Sequence, residues 1–279
     1  MQNSRTINIL TMILLASRIS FVRSFVPAVR KSYTKLSYSH RLFSVGTPID
    51  PTAQLSSLTS IQNEYQLPTV SEDRLSLREN QRLVCLGDVH GDLNALKDFL
   101  KISQVYDGDR WVGGDTILVQ CGDVLDRGSE ELQCFSLLTQ LSRQAQEEGG
   151  RVILLWGNHE ALNAAGLFQY TEGDREYEQL VGSPLDESLQ TNRWRLQFAG
   201  NQPARWASFE PGGLLASPLL ANMKVAVQVG KTVCVHAGLT KKHLTDWGGL
   251  EGMNRMAHDW IQAGEQHVKI CLFELLRLY

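Results

Sequence analysis

The stretch Leu83-Val84-Cys85-Leu86-Gly87-Asp88-Val89-His90-Gly91-Asp92 decides the fold: a short apolar run that stops at a Gly-Asp pair followed by a histidine. The pattern repeats. Thr116–Cys121 runs into Gly122-Asp123-Val124-Leu125-Asp126-Arg127-Gly128, and Val152–Trp156 runs into Gly157-Asn158-His159-Glu160. A fourth run, Thr232–Val235, ends at His236-Ala237-Gly238. All-apolar runs of this length are what strands buried on both faces of a parallel sheet look like. In open α/β sheets ligands bind beyond the carboxyl ends of the strands. Four such ends at one sheet edge would present Asp88, His90, Asp123, Asn158 and His236 to a common point, the makings of a metal site.

Composition sets the bounds. At 279 residues, 43% hydrophobic and 20% charged, the chain has room for one substantial domain. The net charge of -3 is unevenly divided. Seven of the 27 basic residues precede the first acid, Asp50, which leaves 20 against 30 acidic residues and a body near -10. A body so acidic excludes nucleic acid as the partner, because a phosphate backbone needs a basic face. A bound pair of divalent cations would reverse the sign locally and admit a phosphate. The five cysteines show no CxxC spacing, and three lie in apolar strands. They read as small buried hydrophobes of a reducing compartment.

Residues 1–49 read as an address and not as part of the fold. Arg5 precedes the apolar stretch Ile7–Ala16, which suits a signal h-region and is too short to span a bilayer, so no stable membrane span is expected in the mature chain. A basic, Ser/Tyr-rich, acid-free segment follows. Ser24-Phe25-Val26-Pro27 resembles the signal-plus-transit junction of algae with secondary plastids, which implies a plastid destination; a mitochondrial leader or a disordered tail of a cytoplasmic protein is the alternative. Residues 50–80 read as a linker, the Pro/Ser/Thr-rich stretch from residue 46 also serving as the start of a mature chain. From Gln81 strands and helices alternate. Asp92 is expected to cap a helix striped by Leu93, Leu96, Phe99 and Leu100, and Ser129 to cap a long helix that Gly149-Gly150 ends. Such alternation with short connections means right-handed βαβ units and an α/β layered domain. Residues 161–220, polar and broken by Pro184, Pro203, Pro211 and Pro218, read as an insertion over the metal face. Lys224–Val229 and Lys231–Val235 read as a hairpin delivering His236.

The four motifs, in this order and with Asp88, Asp123 and Asn158 each 35 residues apart, resemble the signatures of calcineurin-like metallophosphoesterases of the phosphoprotein phosphatase branch. The resemblance is strongest to the Shewanella-like phosphatases of plants, algae and protists, aided by Pro211-Gly212-Gly213, Met253-Asn254-Arg255 and Trp260. It spans roughly residues 82–262 and implies the layered metallophosphoesterase fold, central β-sheets flanked by helices, within a domain at 81–279. It also implies a dinuclear site for two divalent ions (Mn, Fe or Zn), a donor set of Asp, His and neutral Asn being suited to them. Asp88 and His90 would hold one ion, Asn158 and His236 the other, and Asp123 both. A metal-bridging water would then attack a phosphate monoester directly, without a phosphoenzyme. His159 would protonate the leaving oxygen with Asp126 holding its ring, and Arg127 would fork the phosphate beside Asn158. The implied substrates are phosphorylated Ser, Thr or Tyr in proteins, or small phosphoesters; regulatory subunits are not indicated.

Other residues allow two readings. Arg193, Trp194, Arg195, Arg205 and Trp206 could form a recognition surface, or stems and indoles that cover the core. Glu160 could support the ligands or serve as a first-turn helix acid. Gly87, Gly122 and Gly157 suit tight turns and close backbone approach. The resemblance also implies a further metal-binding His and a phosphate-binding Arg downstream, and neither motif follows His236. His243, His258 and His267 lack a strand-end setting. The expectation is therefore a truncated sequence with an underligated second metal, which opens the alternative of an inactive metal-binding scaffold; dinucleoside tetraphosphate hydrolases, which resemble this branch and share its motifs, are the enzymatic alternative.

Overall fold

A computed structural model describes residues 59–173, 175–181 and 202–263. Strands β2 (Leu83–Leu86), β3 (Ile117–Gln120) and β4 (Arg151–Leu154) form an all-parallel sheet in the order β2-β3-β4. Leu83 sits opposite Ile117, and Ile117 opposite Arg151. Helices α2 (Leu93–Ile102) and α3 (Glu131–Glu147) make the crossovers. Side chains alternate along each strand, so Leu118, Val152 and Leu154 join the helical core, while Ile117, Val119 and Ile153 point the other way.

What they meet there is a second sheet. Its order is β1-β5-β6: β1 (Arg74–Leu75) runs parallel to β5 (Ala226–Val229), which pairs antiparallel with β6 (Thr232–Val235) across the turn at Gly230. Val227, Val229 and Cys234 fill the layer between the sheets. The four strand ends are thus not at one sheet edge: β2, β3 and β4 end in one sheet and β6 in another. The reason is that β5 and β6 satisfy each other as a hairpin, and the hairpin packs face to face on the parallel sheet, linked to it by the bridge Leu155–Lys224. Cys85, Cys121 and Cys234 are free and border this layer, with the Sγ atoms of Cys85 and Cys234 3.8 Å apart.

Three expectations change. Residues 59–80 are not a linker: a helix, α1, covers 59–65, Tyr65, Leu67 and Val70 are buried, and β1 belongs to the second sheet. Ser129 does not cap α3, whose N-cap is Glu130 with no side-chain bond; the amides of Leu132 and Glu131 instead meet the Glu176 carboxylate, brought from a distant helix. The described part of 161–220 is largely helical: Arg175–Val181, Pro203–Phe209 and a 3₁₀ turn at Leu220–Asn222, with Phe209, Leu215 and Leu219 in the core. Pro203, which read as a breaker, sits at the start of its helix, where a missing N–H costs nothing. Residues 182–201, and Arg193, Trp194 and Arg195 with them, lie outside the described residues, as does the leader 1–49.

The helix Gly249–Ala263 backs β5. Its buried Asn254 accepts from Val225 N and Ala226 N (2.7 and 3.1 Å) and donates to Ala226 O and Asp73 (2.8 and 2.7 Å), pinning the hairpin that carries His236.

Candidate metal centre

Each site residue sits in the loop or helix start that follows a strand, and several are held in backbone conformations that L-residues seldom adopt. His90, Asp123, Asp126 and Arg127 have φ of 50°, 59°, 69° and 68°. Such strain persists only where the surroundings over-determine it. Here Glu160 does much of the determining. Fully buried, its carboxylate accepts from Asp123 N and Gly157 N (both 2.8 Å) through one oxygen, and from Val124 N and Leu125 N (2.8 and 3.2 Å) through the other. Burial and the Asp123 charge push its carboxyl up to about 7 against the pull of those amides. Glu160 therefore supports the ligands and is no ordinary first-turn acid. Gly157 lets this happen, since a Cβ there would lie 2.1 Å from Asp123 Oδ1.

Asp123 is the hub. Its Oδ1 accepts from His159 N at 3.0 Å, and its Oδ2 faces three imidazoles: His236 Nε2 at 3.4 Å, with His90 Nε2 and His159 Nε2 each at 3.9 Å. Asp88 Oδ2 is 3.7 Å from His90 Nε2, and Asn158 Oδ1 is 3.2 Å from His236 Nε2. Within two triplets, His90–Asp123–His159 and Asp88–Asp123–His236, all donor atoms lie within 4.8 Å of one another, and Asp123 belongs to both. Ring orientation is set from behind, with His90 Nδ1 2.8 Å from Leu125 O and His236 Nδ1 2.7 Å from Cys121 O. Backbone partners of this kind aim the other nitrogen at a metal.

The donors fit a pair of divalent cations. His90 Nε2 is buried and makes no hydrogen bond, and burial depresses its basicity, so a lone pair points into the cluster. Burial alone would depress His236 as well, but Asp123 overrides it and raises the imidazole to about 9. The pocket thus draws a proton where positive charge is wanted, the field that carboxylates facing one another create.

His159 and Asp126 form a buried pair beside the donors, with Nδ1 to Oδ2 at 2.6 Å. Arg127 Nη2 lies 3.2 Å from His159 Nε2, which makes Nε2 the acceptor and leaves the ring proton on Nδ1. Tyr170, 41% exposed, packs its ring on His159 at 5.1 Å, and its carbonyl accepts from Arg127 N at 3.0 Å. All eight residues expected at the site are brought together. His243 and His258 are not among them: His243 Nδ1 accepts from Thr240 N, and His258 Nδ1 pairs with Ala221 O. His267 lies outside the described residues. Glu131 and Asn163 lie behind Asp126, where no motif or spacing placed them, and Arg205 joins them there, buried at 2% exposure and not part of a recognition surface. Among the described residues no helix is long and apolar enough to cross a membrane.

Comparison with known proteins agrees with this geometry. The family profile described as calcineurin-like phosphoesterase matches residues 81–274. Shewanella-like protein phosphatase 2 of Arabidopsis thaliana is 31% identical over 259 residues, 85% of this chain and 62% of that protein. Shewanella-like protein phosphatase 1 of Plasmodium berghei is 33% identical over 147 residues, 52% of this chain and 37% of that one. Among solved structures, a cold-active protein tyrosine phosphatase has a TM-score of 0.54 at 22% identity, covering 76% of this chain and 55% of that one. A cold-active protein-tyrosine phosphatase of a psychrophilic Shewanella species has a TM-score of 0.52 at 20% identity, covering 74% and 57%. At those identities the likeness is one of fold. The chain spans about three-fifths or less of the length of these relatives.

Proposed function

The chain belongs to the calcineurin-like phosphoesterase family, and on that premise we propose that it hydrolyses phosphate monoesters, those on Ser, Thr or Tyr of proteins above all. The observation that carries the reading is Asp123 Oδ2, set within 4 Å of three imidazoles that arrive from separate strand ends. Asp88, His90, Asp123, Asn158 and His236 would hold two divalent ions of the Mn, Fe or Zn type. When bound, such ions supply Lewis-acid charge and a water acidic enough to act as nucleophile near neutral pH.

The protein's own groups do the rest. Arg127 turns its guanidinium from His159 to two phosphate oxygens, where charge spreads in the transition state. Asn158 offers its amide to the same phosphate. Freed of Arg127, His159 Nε2 takes up a proton from solvent, and the imidazolium, held at Nδ1 and charge-balanced by Asp126, gives that proton to the leaving oxygen and returns to the neutral ring. Asp123 and His159 are tied through the bond from His159 N to Asp123 Oδ1, which keeps the shared carboxylate and the acid at a constant separation.

The test is direct. Phosphoserine, phosphothreonine and phosphotyrosine peptides and diadenosine tetraphosphate are assayed in parallel with added manganese. Peptide hydrolysis is expected, reduced by ~100-fold or more in His159→Asn and in Asp123→Asn. Preferred cleavage of the dinucleotide would replace the substrate assignment. No turnover of any of the four would leave a metal-binding scaffold. We propose in addition that residues 1–49 act as a plastid address, which a fluorescent fusion of that segment would reveal by its compartment.

A further inference from the structure

Behind His159 lies a cluster of buried charge that the reaction as described does not use. The helix Pro203–Phe209 inserts Arg205 into it, 2% exposed, with its guanidinium 4.4 Å over the Tyr177 ring. Nη2 donates to Glu131 Oε2 at 2.5 Å, and Tyr177 Oη donates to the same oxygen at 2.5 Å. Nη1 donates to Asn163 Oδ1 at 2.7 Å and lies 3.5 Å from Asp126 Oδ1. Asn163 Nδ2 in turn donates to Asp126 Oδ1 at 2.9 Å, and Glu131 Oε1 accepts from Asp126 N at 2.6 Å.

The consequence falls on Asp126. One of its oxygens is taken by Asn163 with Arg205 alongside, and its backbone is tied to Glu131. The other oxygen is left facing His159 Nδ1 at 2.6 Å. Two carboxylates without exposure, Asp126 and Glu131, both face the Arg205 guanidinium. A buried carboxylate keeps its charge only when it is paired and hydrogen-bonded. A planar guanidinium reaches three acceptors at fixed angles, and a lysine ammonium cannot. Covering the core with an alkyl stem would need none of this.

We propose that Arg205 is a positioning residue for leaving-group protonation: with Asn163 and Glu131 it orients and charge-balances Asp126, which in turn holds the His159 ring against the leaving oxygen. The inference rests on the hydrolase reading above. It makes the helix at 203–209 part of the machinery, although no atom of that helix need touch substrate.

The experiment exploits the leaving group. A phosphoserine peptide departs as an alkoxide that needs a proton, whereas 2,4-dinitrophenyl phosphate departs as a stable phenolate that does not. Manganese-loaded wild type, Arg205→Met, Arg205→Lys and His159→Asn are assayed on both. Arg205→Met is expected to lower kcat on the peptide by about 10-fold or more while changing kcat on the dinitrophenyl ester by less than about 3-fold. Arg205→Lys should fall between. The ratio of the two rates does not depend on how much protein is folded, so a partly unfolded variant still gives an answer. Equal loss on both esters, or no loss on either, overturns the inference. If wild type turns over neither ester, or His159→Asn shows no such selectivity, the hydrolase reading falls instead. The inference is then judged by the His159 Nδ1 proton in NMR spectra. A resonance displaced in Arg205→Met supports it, and an unmoved one overturns it.

Discussion

Three glycines that look equivalent in the sequence have different work to do. Gly157 has an ordinary φ of -100°, so an added methyl would not strain its backbone; it would strike Asp123, with Oδ1 at 2.1 Å and N at 2.5 Å. Gly122 meets Gly157 in the same crossing, its imagined Cβ 2.5 Å from Gly157 N. At Gly87 an added Cβ meets nothing within 4 Å. Gly157→Ala is therefore expected to destabilise by about 1–3 kcal/mol, as overpacking does, and to weaken metal binding by displacing the shared carboxylate. Gly87→Ala should leave melting and manganese affinity as in wild type. Calorimetric titration with manganese and thermal melts of the two variants check this, and equal behaviour would contradict the close-approach argument. That glycines serve close approach was legible in the motif; which of them does so required the neighbouring chain.

At the scale of elements, the site is assembled by helices whose charged residues face inward. The helix Arg175–Val181 carries Glu176 to the amino end of α3. Burial, helped by the Glu131 charge, pushes the Glu176 carboxyl up to about 7 from an ordinary 4.5. A raised carboxyl favours the protonated folded form, so its contribution to stability is present in full below about 4.5 and is lost as pH rises through about 7. The residue is only partly buried, and solvent screening cuts the effect to roughly 1 kcal/mol. Glu176→Gln is accordingly expected to be more stable than wild type at pH 8 and no more stable at pH 4.5. Denaturant midpoints at the two pH values read the difference, and identical midpoints at pH 8 would refute it. Sequence patterning did expose the helices α2 and α3, whose apolar stripes are regular. It did not expose the helices in 161–220, because each is seven residues or fewer, too short for an apolar stripe to repeat, and Pro203 at the start of one reads as a breaker.

The molecule as a whole is a two-sheet sandwich with the donors at its rim. Asp88, His90, Asp123 and Asn158 follow the parallel sheet, and His236 follows the hairpin of the other. Ions held there would cross-link the two sheets and would bind the folded chain in preference to the unfolded one. Saturation at a hundred times Kd stabilises by about 2.7 kcal/mol, which for a domain of this size raises Tm by roughly 5–10 °C. Manganese should produce that rise, chelation should reverse it, and Asp123→Asn should abolish it. A Tm indifferent to manganese in wild type would show that the donors do not trap an ion.

The pairing of His159 with Asp126, 33 residues apart, was implied by the family resemblance, whereas residue order alone established the alternation of strands and helices and the strand-end placement of Asp88, His90, Asp123, Asn158 and His236. These are carried by motifs in which chemistry and chain reversal sit within a few residues, where hydrophobic periodicity and turn chemistry are readable. It took the packed chain to reveal that His236 comes from a second sheet, that 59–80 belongs to the fold, that Glu160 holds four amides, and that Arg205 backs Asp126. Arg205 lies 74 residues from Glu131 and 79 from Asp126, and His236 lies 115 from the carbonyl that orients it. At such separations no local pattern marks a partner. A buried charge chooses its counter-charge only when the packed core has excluded water from both.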